Sequence, residues 1–284
     1  SIYRRPLFSS LISVLSDSVL DGVNAPEFIA NSTPAKLAQL LSTKKDYNFK
    51  YLKPLYEPDN ADKALILFPY AGGSAEAYAV FTNVFQKKCK DFSLFFIDFL
   101  RTKEDCFSAA KEIEELSQNT DIYFYSHCAG SAVAMQILNC IEENGICNIQ
   151  HYIAGASIPL KKVPKKNTWN YVPDFILKKA LSNAGAQFNK TDKKRLSIIL
   201  QDFRKDTDFM TSYFYNKNKK AIKCPVSLIM SKDDIFTKEY KNAKKLWAPY
   251  VENIANIRFI ETDSHYFQSA DSEKLIDIIC DLLK

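Results

Sequence analysis

From residue 64 onward, short apolar runs alternate with longer stretches in which apolar and polar positions follow a helical period. Six apolar runs have the length of buried strands, at 64–68, 93–100, 121–126, 152–156, 226–231 and 257–261. Helical patterns lie between them, at 108–116, 131–143, 238–247 and 272–283. Residues 49–56 alternate like a partly exposed edge strand. This order predicts an α/β fold, with a mostly parallel twisted sheet flanked by helices.

One long interval, at about 159–223, interrupts this rhythm. It contains charged helical stretches such as 192–204, followed by the aromatic residues Phe209, Tyr213, Phe214 and Tyr215, and no run typical of a strand. An insertion between two strands, on the side where parallel strands end, is placed to cover a site at that edge. We therefore expect a helical lid, the alternative being a solvated helical decoration that gates nothing.

Composition limits the possible classes of protein. The chain has 284 residues, of which 46% are hydrophobic, enough for one sizeable core. We expect a single catalytic domain at 46–284, preceded by a helical segment at 1–45. The net charge of +5 comes from scattered lysines rather than from a basic stripe, so nucleic-acid binding is not expected. This charge suits an acidic protein partner or a phosphate-bearing arm, although such charges also occur on ordinary solvated surfaces.

The cysteines and the hydropathy pattern predict a location. Seven cysteines occur without a C-x-x-C pair or zinc-ligand spacing, so we expect no metal site and a reducing, cytoplasmic environment. No stretch reaches the roughly 18 apolar residues of a membrane-spanning helix. The apolar stretch after Arg4 and Arg5 imitates a signal peptide, but Asp17 and several serines dilute it.

The strongest candidate for chemistry is the segment Ser126-His-Cys-Ala-Gly130, between a buried strand and an amphipathic helix. This is the setting of the nucleophile elbow, G-x-S-x-G, in which a sharp turn exposes the central side chain above the sheet. Cys128 stands at the central position, and Ser126 and Gly130 are the small flanking residues. The amides at the start of the helix would favour a thiolate and an oxyanion. The alternative is that Cys128 is a buried small hydrophobic residue.

Candidate partners for Cys128 follow it in the sequence. On such elbows the order is nucleophile, acid, base, and His265 is the one histidine in a loop after a late strand. The strand at 226–231 is followed by Asp233 and Asp234, of which we choose Asp234 as the acid and keep Asp233 as its competitor. A base within reach activates the thiol, and a carboxylate orients the imidazole. The residues thus predict a Cys128–His265–Asp234 triad.

The oxyanion that forms on attack needs hydrogen-bond donors, and we expect these to be the backbone N–H groups of Ala71 and Ala129. Ala71 lies in Phe68-Pro-Tyr-Ala-Gly-Gly73, where a buried strand ends on a glycine turn. Glycine allows positive φ and a close approach of the backbone to a ligand. A Gly-Gly pair alone would indicate no more than a turn.

Together these motifs resemble type II thioesterases of non-ribosomal peptide and polyketide synthesis, which belong to the α/β-hydrolase superfamily. The resemblance covers roughly residues 50–284 and rests on Phe68-Pro-Tyr-Ala-Gly-Gly73, the elbow, the segment 200–213, the strand leading to Asp234, and Ser264-His265. It implies an α/β-hydrolase fold and a hydrolase that unloads acyl chains from an acyl or peptidyl carrier protein. The substrate would be presented on 4′-phosphopantetheine, with no cofactor required by the enzyme itself.

The chain also departs from the family pattern. The family usually has Gly where this chain has Ser126, Ser where it has Cys128, and Gly-Gly where it has Asp263-Ser264. Residues 1–42 show a second, weaker similarity, to the later helices of an acyl carrier domain, and Ser10 would align with the phosphopantetheine-bearing serine. The alternative for this segment is a helical cap on the hydrolase.

Three functions remain open from the sequence. The first is a thioesterase that acts through an acyl-cysteine intermediate. The second is an acyltransferase or cyclase that uses the same triad with an amine or alcohol acceptor. The third is an inactive hydrolase-fold docking module, and the presence of both Asp234 and His265 counts against it.

Overall fold

The computed structural model describes residues 48–159, 164, 166–188, 191–216 and 220–284. The segment predicted at 1–45, including Ser10, lies outside the described residues. The strands of the described part are β1 Leu52–Tyr56, β2 Lys63–Phe68, β3 Phe92–Ile97, β4 Asp121–His127, β5 Ile149–Gly155, β6 Val226–Met230 and β7 Ile254–Phe259. They form one seven-stranded sheet in the order β1-β3-β2-β4-β5-β6-β7. β1 pairs antiparallel with β3, and the other neighbours pair in parallel.

The helices flank this sheet. They are α1 Ala79–Lys88, α2 Lys103–Ser117, α3 Gly130–Asn144, α4 Asp174–Asn183, α5 Lys193–Tyr215, α6 Ala243–Trp247, α7 Phe267–Ala270 and α8 Ser272–Leu282. α1 packs on α8, α2 packs on α3, and α5 packs on α3. The predicted α/β-hydrolase fold is confirmed. Within the described residues, no helix has both the length and the apolar character needed to span a bilayer.

Burial explains why the apolar runs identified the central strands. Residues 64–68 of β2 are fully buried, as expected for a strand that is covered on both faces. Alternate residues of the strands, such as Leu65, Leu67, Phe96 and Tyr125, join one core cluster with Phe81 of α1. The residues between them point to the opposite face of the sheet. Both faces are therefore packed, and the site must lie where the strands end.

Some element boundaries differ from the sequence prediction. The strand expected at 93–100 ends at Ile97, because Asp98 is exposed and Phe99 packs edge-to-face on Phe209 of α5. The helix expected at 238–247 is a 3₁₀ turn, Tyr240–Asn242, followed by α6. Between β5 and β6 the chain forms α4 and α5, within the insertion predicted at 159–223. A lid function for this insertion stays a prediction.

Candidate active site

Cys128 lies at the junction between β4 and α3. Its backbone is in the left-handed region, with φ 52°, a conformation that non-glycine residues rarely adopt. The Cys128 N–H donates to the Gly155 carbonyl at the end of β5, at 2.9 Å. The Cys128 side chain is partly exposed, whereas the residues on either side of it, His127 and Ala129, are fully buried. The turn therefore presents the cysteine at the edge of the sheet, as a nucleophile elbow does.

Gly130 allows the elbow to approach the end of β2 closely. A Cβ added at Gly130 would lie 2.6 Å from the Phe68 carbonyl oxygen and still closer to that of Pro69. This contact brings the start of α3 against the turn that carries Ala71. The amides of Ala71 and Ala129 have no acceptor among the described residues, so both can donate to a ligand. Their role as oxyanion donors stays a prediction.

His265 and Asp234 are hydrogen-bonded to each other. Nδ1 of His265 lies 2.8 Å from Oδ2 of Asp234, and both side chains are almost completely buried. The Asp234 carboxylate also accepts from the Phe236 N–H and the Thr237 hydroxyl, each at 2.8 Å. Burial favours the neutral acid, but the hydrogen bond and the charge of His265 outweigh it and lower the pKa of Asp234. Asp233 is exposed, so the structure brings Asp234 and not its competitor to His265.

The other ring nitrogen of His265 is left for Cys128. Nε2 is buried and has no nitrogen or oxygen partner in the described part of the chain. Burial lowers the pKa of His265, but the negative charge of the Cys128 sulfur and hydrogen bonds to Asp234 and Cys128 raise it to about 10. A base within hydrogen-bond reach of a thiol, oriented by a carboxylate, is the arrangement that activates a cysteine nucleophile. The structure thus brings together all three residues predicted as a triad.

His127 contributes to this arrangement through its ring, which the sequence did not indicate. Its Nε2 lies 2.8 Å from the backbone oxygen of His265, and its Nδ1 lies 3.0 Å from the Tyr125 hydroxyl. A carbonyl can only accept, so Nε2 carries the proton and Nδ1 accepts from Tyr125. Burial lowers the pKa of His127 to about 3, so the ring is neutral. His127 also packs edge-to-face on Phe267, at 4.7 Å between ring centroids. His127 thereby holds the loop that carries His265.

The serines near Cys128 are engaged elsewhere. Ser126 is buried, and its hydroxyl lies 2.7 Å from the Tyr152 hydroxyl on β5. Ser131 accepts a hydrogen bond from Ser157 at 2.7 Å. The departure from glycine at Ser126 is therefore accommodated by a partner on the neighbouring strand. Cys128 is the side chain that the elbow exposes.

A cavity of about 840 Å³ adjoins the site. Its lining includes Tyr70 and Ala71 from the turn after β2, Tyr266 next to His265, and Leu181 and Ile199 from the helices between β5 and β6. Such a volume accommodates a small ligand or part of a larger one. No group of three or more histidine, cysteine and acidic side chains suited to a metal ion occurs among the described residues. Ser10, which would align with a phosphopantetheine-bearing serine, lies outside the described residues.

Comparisons with known proteins bear on the fold and on the family that the sequence resembles. No family model matches the sequence. The chain is 23% identical over 233 residues to the gramicidin S biosynthesis protein GrsT of Aneurinibacillus migulanus, covering 78% of this chain and 88% of that protein. The type II thioesterase YbtT of the yersiniabactin pathway superposes with a TM-score of 0.66 at 17% identity, over 81% of this chain and 97% of its own. BorB, the type II thioesterase of the borrelidin cluster, gives 0.68 at 14% identity, over 84% and 100%.

The solved structures share the fold of this chain, and the resemblance to type II thioesterases that its motifs indicated is confirmed. One solved form of YbtT carries a serine-to-alanine substitution. The role of Cys128 as a nucleophile stays a prediction.

Proposed function

We propose that this protein is a thioesterase that releases or edits acyl chains held as 4′-phosphopantetheine thioesters on a carrier protein, through an acyl-Cys128 intermediate. The observation that carries the proposal is the hydrogen-bonded pair of Asp234 and His265 beside a cysteine on a strained elbow. The likeness to thioesterases of non-ribosomal peptide and polyketide pathways supports the substrate class.

The first half of the reaction transfers the acyl group to the protein. The Cys128 sulfur attacks the thioester carbonyl carbon, and the negative charge that forms on oxygen is received by the amides of Ala71 and Ala129. The bond between the carbonyl carbon and the pantetheine sulfur then breaks, and the His265 imidazolium gives its proton to that sulfur. Asp234 keeps the imidazole in the required tautomer throughout.

The second half releases the acyl group. A water molecule gives a proton to His265 as its oxygen attacks the acyl-cysteine, and the bond to the Cys128 sulfur breaks to leave a carboxylic acid. Because the intermediate is itself a thioester, it remains activated towards amines and alcohols. This property favours acyl transfer or ring closure as the second candidate function.

The proposal is tested with an S-acyl-N-acetylcysteamine thioester and intact-mass measurement of the protein. We expect an acyl adduct on the wild type and on Ser126→Ala, and none on Cys128→Ala. Ser126→Ala is the matched control because it removes the neighbouring hydroxyl and leaves the elbow cysteine in place. Absence of an adduct on the wild type with several acyl thioesters would favour the docking module.

Product analysis then separates hydrolysis from transfer. The same thioester is offered with and without an amine acceptor, and the acid and amide products are quantified. We expect the acid to dominate. An amide that dominates at low millimolar amine would identify the protein as an acyltransferase instead.

A further inference from the structure

The turn that carries Ala71 is held from the side by α5. The N–H of Gly72, next to Ala71, donates to Oδ2 of Asp206 in α5 at 2.8 Å. Gly72 has φ +73°, and a Cβ added there would lie 3.0 Å from the Ile199 carbonyl oxygen of the same helix. The backbone of the turn and the backbone of α5 are therefore in direct contact, without an intervening side chain on Gly72.

Asp206 is an unusual residue for this position. Its side chain is 1% exposed, although it lies in the middle of a helix otherwise rich in charged residues on its surface. Besides the Gly72 N–H, it accepts from Nε of Arg101, which follows β3, at 2.7 Å. Burial raises the pKa of Asp206 to about 6, against the opposing effects of Gly72 and Arg101. A buried carboxylate is costly unless all its partners are in place.

We propose that Asp206 is a positioning residue that fixes the turn after β2, so that the Ala71 N–H is aimed at the oxyanion formed during acylation of Cys128. This inference rests on the proposed function. The Gly72 N–H is taken by Asp206, so the peptide plane of the turn cannot rotate without breaking a charge-assisted hydrogen bond. The neighbouring Ala71 N–H has no acceptor among the residues that the structure describes, so it can donate to a substrate.

The proposal predicts different effects on two reactions of Cys128. Acylation by a thioester builds an oxyanion, and loss of one correctly placed donor costs on the order of 100-fold in rate. Alkylation of Cys128 by iodoacetamide displaces iodide at a saturated carbon and builds no oxyanion. A variant that disturbs only the turn should therefore slow the first reaction and leave the second unchanged.

The test uses the full-length protein and three variants. Asp206→Ala removes the acceptor for Gly72, Asp206→Asn retains an acceptor oxygen but loses the charge, and Asp202→Ala is the matched control. Asp202 lies one turn earlier on the same helix and also pairs with Arg101, at 3.0 Å, without touching Gly72. For each variant, the measurements are acylation by an S-acyl-N-acetylcysteamine, iodoacetamide labelling of Cys128 by peptide mass spectrometry, and hydrogen exchange of the peptide containing Gly72.

We expect Asp206→Ala to lower the acylation rate by about tenfold or more, with Asp206→Asn in between and Asp202→Ala close to wild type. Labelling by iodoacetamide should stay within about twofold in all three, and exchange at Gly72 should accelerate most in Asp206→Ala. Faster exchange with unchanged acylation would overturn the positioning role while leaving the thioesterase proposal intact. A parallel loss of acylation and labelling would show that Asp206 is merely structural. A wild type that is labelled but never acylated would instead refute the proposed function, and with it this role.

Discussion

Cys128 adopts a backbone conformation that is unfavourable for any residue with a side chain. It also occupies the position at which most nucleophile elbows have serine. The left-handed conformation of a non-glycine residue costs roughly 1–2 kcal/mol, and it persists here because the strand and helix on either side fix the turn. The same turn would expose a serine equally well. In the proposed mechanism, sulfur instead of oxygen at this position changes the reactivity of the acyl intermediate.

The substitution Cys128→Ser tests the effect of having sulfur instead of oxygen at this position. The intermediate becomes an oxygen ester, which reacts with amines far less readily than a thioester does but is still hydrolysed. We expect the ratio of amide to acid product to fall, measured by chromatography at one amine concentration. The overall rate should also fall, because a hydroxyl depends more on its base than a thiol does. A variant with the same product ratio as wild type would show that the active site, not the sulfur, decides between acceptors.

His127 makes the stability of the fold depend on pH. Its pKa is lowered from the ordinary 6.5 to about 3 by burial, so the unfolded chain binds a proton between these values that the folded chain does not. The free energy of unfolding should therefore fall as the pH falls from about 6.5 towards 3. The free energy of unfolding falls by about 1.4 kcal/mol for each pH unit, so the full loss approaches roughly 5 kcal/mol.

The variant His127→Gln serves as the comparison, because its amide can donate to the His265 carbonyl and does not titrate in this range. Urea unfolding between about pH 7 and pH 4 should give a shallower loss of stability for the variant than for the wild type. Parallel curves would mean that His127 is already protonated in the folded protein. That result would contradict the assignment of Nδ1 as the acceptor of a hydrogen bond from the Tyr125 hydroxyl.

At the scale of elements, the site depends on how closely the β4–α3 junction approaches the end of β2. Gly130 permits this approach, since a Cβ there would press on the backbone oxygens of Phe68 and Pro69. We expect Gly130→Ala to lower the free energy of unfolding by about 3 kcal/mol, because backbone atoms cannot move aside as side chains can. It should also slow acylation, since the turn that carries Ala71 would be displaced.

Gly145, at the other end of α3, provides the matched control. It has φ 59°, and no atom lies within 4 Å of an added Cβ. Gly145→Ala should therefore cost only the left-handed conformation, about 1 kcal/mol, and leave acylation unchanged. Equal losses of stability in the two variants, measured by urea unfolding, would mean that the close approach at Gly130 is not required.

The sequence predicted the central strands well and some boundaries poorly, for a physical reason. Residues 64–68 are apolar because both faces of β2 are covered, so the run and the strand coincide. At 93–100 the apolar run continues past the strand, because Phe99 packs on Phe209 of α5 instead of on the sheet. An apolar residue in the sequence indicates that its side chain is buried, but it does not indicate which element covers that side chain.

At the scale of the whole molecule, part of the site could likewise be predicted from the sequence and part of it could not. Ala71, Cys128, Asp234 and His265 follow β2, β4, β6 and β7, and parallel strands bring their carboxyl ends to one edge. Their proximity could therefore be expected from the order of the elements. The ring of His127 and the carboxylate of Asp206 act across the fold, on the His265 carbonyl and on Gly72. Those contacts depend on the tertiary position of a loop and a helix, which no local motif encodes.

The charge of the whole molecule makes the proposed carrier partner testable. The chain has 38 basic and 33 acidic residues, and a net charge of +5 would attract an acidic carrier protein but not a neutral small thioester. Raising the ionic strength from about 0.01 M to about 0.15 M shortens the Debye length from roughly 30 Å to roughly 8 Å. We expect kcat/KM for a carrier-bound acyl group to fall about tenfold over this range, because long-range attraction mainly accelerates association.

The comparison substrate is the same acyl group on N-acetylcysteamine, whose kcat/KM should stay nearly constant with salt. Both rates are measured by product chromatography at each salt concentration. If both substrates slow equally, salt acts on the active site itself, since the two share only the acyl group and the catalytic residues. If neither slows, the positive charge belongs to a solvated surface, and recognition of a carrier would have to rest on contacts at short range, where salt has little effect.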